Sequence, residues 1–488
     1  MGRIKPLSFG ASEKGRKRAA VALALSTRQS PPHMAQPPHP LTIPYFRAYF
    51  LSRVAGTVAT TSFGILVGWQ VYSIARGVEG MSIRDAAFLL GMIGLAQFVP
   101  LFLLTPVVGL AADTFDRRWI VRATTALLLA TVVALGLLTW AGALTIPALF
   151  AGAVLIGVAR AFGGPAYSAL APNLVPAESL PTAIAVSAIA WQLGSIIGPS
   201  LGGLMFGFAP LLAYAVAAAL LGLALGTMFL IGPVPQPPRE PDHRPFARVV
   251  EGFRYVRANR LVLATITLDL FAVLLAGATA LLPIYARDIL HVGPHGLGLL
   301  AAGSGIGAAV VAFFYSWRPM KTNVGVKMLW AVVIFGIATI VFGLATPIAD
   351  LLGLPTPVIG LPGSLGGGAL ALAPAFILSL VALIVAGGAD MVSVYVRTSL
   401  IQLHTPDAMR GRVSAVSQLT ISASNELGEA ESGLAAALVG PEAAVVIGGV
   451  GAIAVTLAWS GLFPELRLAK TFAPPDMPSP NPAPGAVP

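Results

Sequence analysis

The 488-residue sequence contains no cysteine, so disulfides, thiolate metal sites and cysteine nucleophiles are excluded. Charge is nearly as scarce: 10% of residues are Asp, Glu, Lys or Arg, against roughly 25% in a soluble domain. What is abundant is apolar: 56% of residues are hydrophobic and 53 are glycine, the composition of a chain that crosses a membrane many times on closely packed helices. A net charge of +10 does not indicate nucleic acid, because the charges sit in loops beside apolar runs. The glycines at 363 and 366–368 have no Lys-Ser/Thr sequel and follow no strand, which excludes a phosphate loop. His291 and His295 have a spacing that could hold a metal on a helix, but Gly293 and Pro294 intervene and argue for a loop. No cofactor, metal or enzymatic constellation is expected, so work done by this chain must draw on an ion gradient.

A span needs about 20 apolar residues. Twelve such runs are legible, near 48–75, 86–108, 119–141, 146–170, 183–208, 211–232, 261–286, 296–317, 328–349, 373–400, 413–439 and 442–463. They divide the chain into a tail (1–40), a six-helix bundle (41–232), a linker (233–260), a second six-helix bundle (261–465) and a second tail (466–488). Both tails are polar or Pro-rich and are expected to be disordered. Lys14 to Leu25 is similar to a short signal peptide but reads as uncleaved tail, and Met34 offers a second possible start. The linker opens with prolines and becomes a basic amphipathic run, in which Phe246, Val249, Val250, Phe253 and Val256 alternate with Arg248, Arg254, Arg257 and Arg260. That run is expected to be a helix lying on the membrane surface.

Between the second and third spans lies GLAADTFDRR, Gly109 to Arg118. Asp113, Asp116, Arg117 and Arg118 would be costly inside hydrocarbon, so the segment is expected in a short connection at the membrane surface. With both termini on that side, all but six of the 30 Lys and Arg fall there or in the tails. Arg76, Arg84 and Arg287 lie opposite, and Arg53, Arg160 and Arg397 fall within spans. The asymmetry predicts cytoplasmic termini and an inner-membrane location.

The fifth span carries G-x-x-x-G-P-x-x-G-G: Gly194, Gly198, Pro199, Gly202 and Gly203. Glycines four apart line one helix face and admit a partner backbone, while Pro199 removes a hydrogen bond and bends the helix. The pairs Leu193-Gly194 and Leu427-Gly428 mark an internal repeat, and paired six-helix halves are a transporter architecture.

Together these features resemble the major facilitator superfamily. Gly109, Asp113, Arg117 and Arg118 keep the spacing of its loop between helices 2 and 3, a conformational gate, although Ala111, Thr114 and Asp116 replace commoner residues. The span-5 pattern resembles the motif of its drug–proton antiporters. Arg160 with Gly163 and Gly164 is similar to its span-4 motif, with Gly163 where Gln is usual. Trp69 to Tyr72, Met409 to Val413, Asn425 to Glu429 and Phe463 to Arg467 resemble the enterobactin-exporter and macrolide-efflux branch. The resemblance implies an all-helical exporter of twelve transmembrane helices in two pseudo-symmetric bundles, driven by the proton gradient.

In that fold helices 1, 4, 7 and 10 line the cavity. Here they carry Arg53, Arg160, Asp269 and Asp390, one charge each. Ionisable residues within spans mark function by default. The expectation is that these four pair across the halves when the cytoplasmic side closes, so that protonation of an Asp biases the equilibrium; pairing within one half is the structural alternative. Span 11 adds Glu426 and Glu429 on one face, with Glu431 elsewhere. Glu426 and Glu429 are proton-carrier candidates, or partners of the Gly109 loop. The expected partners are a small-molecule substrate, protons and the lipid bilayer, with no nucleic acid, and the chain is expected to act as a monomer. Candidate cargoes are a siderophore, a macrolide-like drug or another amphipathic metabolite. The alternatives are movement of lysophospholipid or nutrient, or a membrane sensor or partner-binding protein that kept the fold and lost transport.

Overall fold

In hydrocarbon a backbone must satisfy its own polar groups, so each apolar run closes into a helix. The computed structural model describes residues 38–233, 245–353 and 373–473. The first half comprises α1 (Pro44–Gly77), α2 (Ile83–Thr114), α3 (Arg117–Trp140), α4 (Ile146–Leu170), α5 (Leu180–Phe208) and α6 (Pro210–Phe229). A linker helix, Pro245–Ala258, leads to α7 (Arg260–Leu275), α8 (Gly293–Trp317), α9 (Val324–Gly343), α10 (Pro374–Leu403), α11 (Asp407–Val439) and α12 (Pro441–Leu462). No strand occurs among the described residues. The tails to residue 37 and from 474, the Pro-rich opening of the linker at 234–244 and the glycines at 363 and 366–368 lie outside the description.

Among the described residues, eleven helices are long and apolar enough to cross a membrane. The exception is α11, whose 33 residues suffice in length but whose carboxylates, Glu426, Glu429 and Glu431, dilute its apolarity. Exposed tryptophans mark the belts: Trp119 and Trp140 stand out at the two ends of α3. At about 1.5 Å per residue they lie roughly 30 Å apart, the thickness of the hydrocarbon layer.

Two expectations need correction. Gly109 and Asp113 are not in a loop; α2 runs through them to Thr114, leaving only Phe115 and Asp116 as the connection. The reason is local: Asp116 N-caps α3, accepting from the Arg118 amide at 2.9 Å, so the next helix begins at once. The seventh span is not continuous. It breaks after Leu275 and resumes as short turns ending in a π-turn at Tyr285–Ile289. At the break Gly277 lies against the Gly428 carbonyl, 2.8 Å from where a β-carbon would be.

The packing repeats between halves. In the first, α1 lies on α5 and α6, α2 on α4, and α3 on α4 and α6; in the second, α7 lies on α11 and α12, α8 on α10, and α9 on α10 and α12. Across the seam α2 pairs with α11 and α5 with α8. Antiparallel succession puts the Asp116 turn, the linker helix and the ends of α6 and α12 at one end of the molecule. Asp288, Gly142 and Gly440 lie at the other.

Candidate substrate and coupling site

The glycine motif sets how closely the helices approach. Gly194, Gly198 and Gly202 seat α5 against Thr57, Val58, Thr61 and Ser62 of α1. Thr61 and Ser62 then donate hydroxyl hydrogen bonds to the carbonyls of Gly194 (3.1 Å) and Gly198 (2.6 Å). Gly203 faces the other way and meets Gly298 of α8 across the seam. The internal repeat has a physical counterpart: Gly428 seats α11 on Val273 and Leu274 of α7 as Gly194 seats α5 on α1. Pro199 lies inside α5, which continues through it.

The central ionic contact crosses the seam. Arg160 of α4 pairs through Nη1 with Glu426 of α11, and the same nitrogen reaches the Gln97 side-chain oxygen on α2 at 3.4 Å. The Glu426 side chain is buried, with 4% exposed, while that of Arg160 keeps 38% accessible. Glu429, one turn on, presses its side chain against Gly94 of α2 and makes no hydrogen bond or ion pair among the described residues. The seam is tight here because Gly91, Gly94 and Gly433 carry no side chains. Gln97 was not legible as a site residue; only the fold brings it to Arg160.

Asp269 and Asp390 behave differently from the expected cross-seam pairing. Asp269 of α7 pairs with Arg397 of α10, both side chains 6% exposed and both in the second half. Arg397 sits about two helical turns beyond Asp390 on the same face of α10, and of the two it is the cation that can pair with Asp269. Asp390 itself makes no ion pair among the described residues. It lines a small pocket with Asp269, Ala272, Phe335 and Ser393. Arg53 pairs with no carboxylate among the described residues either. Its guanidinium lies 4.8 Å from the centre of the Tyr167 ring on α4, and Tyr167 shares a 2.9 Å hydrogen bond with Ser52.

At the Asp288 end the halves are latched by Asp288, Tyr72, Arg76 and Arg287, of which the sequence placed only the two arginines, as charges on the side opposite the termini. Asp288 accepts from the Tyr72 hydroxyl and from Arg76 Nε of α1, the latter at 3.1 Å. Arg287 donates to the Ser73 carbonyl at 2.9 Å. Beside this, His295 stands against Gly207 and packs edge-on to Phe208, 5.1 Å between ring centres. His291 adopts a left-handed conformation outside α8 while His295 lies within it. No metal-binding group occurs among the described residues.

At the opposite end the arginines hold the first half together. Arg117 donates to the Ala169 carbonyl near the end of α4 (2.9 Å), and Arg118 and Arg122 donate to carbonyls at the end of α6. Cations there complement the helix dipoles. Arg118 also chelates Asp116, with Nε 3.1 Å from both carboxylate oxygens. That contact holds the Asp116 carboxyl below its ordinary range. The placement of the Asp113 side chain lies outside the description.

Two bundles related by internal pseudosymmetry, joined at α2–α11 and α5–α8, are the major facilitator fold. Solved structures share it. A D-xylose–proton symporter matches with a TM-score of 0.65 at 14% identity, over 86% of this chain and 99% of that one. The inward-open xylose transporter XylE from E. coli matches at 0.60 and 12% identity, over 88% and 97%. Residues 36–364 match the family model of transmembrane secretion effectors, and the chain belongs to that family of the major facilitator superfamily. Its relatives include the enterobactin exporter EntS of Citrobacter koseri, 26% identical over 435 residues, 87% of this chain and 93% of the relative. EntS of Salmonella typhimurium is 25% identical over 435 residues, covering 87% and 94%.

Proposed function

We propose that the chain is an inner-membrane exporter that releases a small organic compound in exchange for protons, working as a monomer. The observation that carries this reading is the Arg160–Glu426 pair across the seam, with Glu429 one turn away and without an ion-pair partner among the described residues. An exchanger requires proton and cargo to exclude one another at a shared group, so that each binds a different member of the same two-state equilibrium. Glu429 is that group. A proton neutralises it, and hydrogen-bond donors of the cargo compete for it when it is ionised. Arg160, open to the cavity, holds an anionic or polar group of the cargo. Arg53 and Asp390 line the cavity further along, and Asp269 holds Arg397.

The basic loops and both termini lie on the cytoplasmic side in this reading. The Asp288 latch then closes the periplasmic side, and cargo enters from the cytoplasm. The helix-5 glycine motif provides the close α1–α5 and α5–α8 contacts along which the halves rock. Enterobactin is the first cargo to try, because relatives similar along most of the chain are named for exporting it; macrolide-like and other amphipathic compounds follow.

The test is purified protein in liposomes with a pH-sensitive dye inside and an imposed pH gradient. Enterobactin, macrolides and lipophilic cations are added in turn. The expected result is cargo-dependent proton flux that Glu429→Gln and Glu426→Gln each abolish while the folded protein persists. Flux that survives both substitutions removes these carboxylates from the proton path. Cargo movement with no proton flux refutes exchange.

A further inference from the structure

The linker helix Pro245–Ala258 divides its faces sharply. Gly252 and Val256 are buried against the start of α11, where a β-carbon on Gly252 would lie 2.8 Å from the Arg412 carbonyl. Glu251 pairs with Arg412 at 2.8 Å, and Tyr255 donates to the His404 carbonyl at 2.9 Å. The helix also touches α2 of the other half. Val250, Phe253, Arg254 and Arg257 form a single i, i+3, i+4, i+7 stripe on the opposite face. All four are exposed, Phe253 by 58% and Val250 by 41%. Neither Arg254 nor Arg257 has an acidic partner among the described residues.

Such a stripe is wrong for water and wrong for a protein core. Two large apolar groups would sit in water at a cost, and two guanidinium groups would be buried unpaired. It matches the boundary of an anionic leaflet, where the apolar groups enter the acyl layer and the arginines meet phosphates. The position fits too, because α7 begins at Arg260, two residues after the helix ends, so the helix lies where the span leaves the hydrocarbon.

We propose that this face binds anionic phospholipid headgroups. Because the same helix is fastened to α11 through Glu251–Arg412 and also touches α2, the bound leaflet acts on the seam where the halves must part. The proposal concerns the membrane surface alone and does not depend on the direction or coupling of transport.

The test is hydrogen exchange of the 245–258 amides in the full-length protein, in nanodiscs of phosphatidylcholine and in nanodiscs containing about one-third phosphatidylglycerol. The expected result is slower exchange in the anionic discs. High salt should abolish the difference, and each of Arg254→Gln and Arg257→Gln should reduce it about fivefold. Transmembrane amides serve as the control for folding. Equal exchange in both lipids overturns the proposal, as it would if the face were covered by a protein. Slowing by anionic lipid that survives the double substitution also overturns it, because the arginines would then not be the contact.

Discussion

Among the described residues, the ion pairs Arg397–Asp269 and Arg160–Glu426 both join membrane-spanning helices, and they sit in different mechanical places. Arg397–Asp269 joins α10 to α7 inside one bundle, with both side chains 6% exposed. Arg160–Glu426 joins α4 to α11 across the seam, with the arginine 38% exposed. A pair inside a bundle moves as part of a rigid body and never needs to break. A pair across the seam changes whenever the bundles rock. The two pairs also differ in burial: the cross-seam arginine keeps part of its side chain accessible, whereas both partners of the pair within the bundle are enclosed.

The comparison can be broken by substitution. Asp269→Ala should cost the most stability, about 3–5 kcal/mol, because it leaves Arg397 buried and uncompensated. Thermal unfolding in detergent measures this, and the double change Asp269→Leu with Arg397→Leu should recover most of the loss. Glu426→Gln should cost only about 1.5 kcal/mol in the same assay, since Arg160 retains water and Gln97, yet it should abolish coupled flux. If the two single changes were equally destabilising, the distinction would fail.

Two glycines sharpen the same contrast. A β-carbon on Gly194 would lie 2.5 Å from the Thr57 β-carbon within the first half, and one on Gly203 would lie 2.5 Å from the Gly298 α-carbon across the seam. Each alanine substitution should cost about 1–3 kcal/mol locally. Gly194→Ala should lower the unfolding temperature. Gly203→Ala should instead open the Asp288 end, raising the labelling rate of a cysteine introduced there in this naturally cysteine-free chain. Asp288→Asn should act in the same direction, about tenfold in population for a loss of about 1.4 kcal/mol. The smallest effect belongs to Asp116, whose carboxyl is depressed by Arg118. A depressed carboxyl stabilises the fold above its ordinary titration range, and that contribution disappears as pH falls through its lowered value. Asp116→Asn should therefore cost up to about 1 kcal/mol near neutrality and nothing in strong acid, as measured by unfolding against pH.

Much of this was legible in the sequence. Apolar runs of bilayer length survive any tertiary arrangement, so the spans and the two halves could be read directly. Glycine spacing identified the α5 contact face. What failed were one local capping effect and several features set by distant neighbours. The α2 boundary moved because Asp116 caps α3, and α7 broke where Gly277 meets Gly428. Pairing was the hardest to read: Asp269 was expected to meet an arginine of the first half, whereas its partner, Arg397, lies 128 positions away in its own half. Asp288 carried no signal in the sequence, because only the folded seam brings Tyr72 and Arg76 to it.

The most direct measurement places spin labels at Val78→Cys and Leu351→Cys, both exposed and in opposite halves at the Asp288 end, and records the distance between them against pH. The account predicts that the wild-type background shifts between a short and a long distance as pH changes, and that Glu426→Gln with Glu429→Gln removes the shift while leaving one distance in place. A pH-dependent shift that persists in the double variant would contradict the claim that protons act on the seam through these two carboxylates.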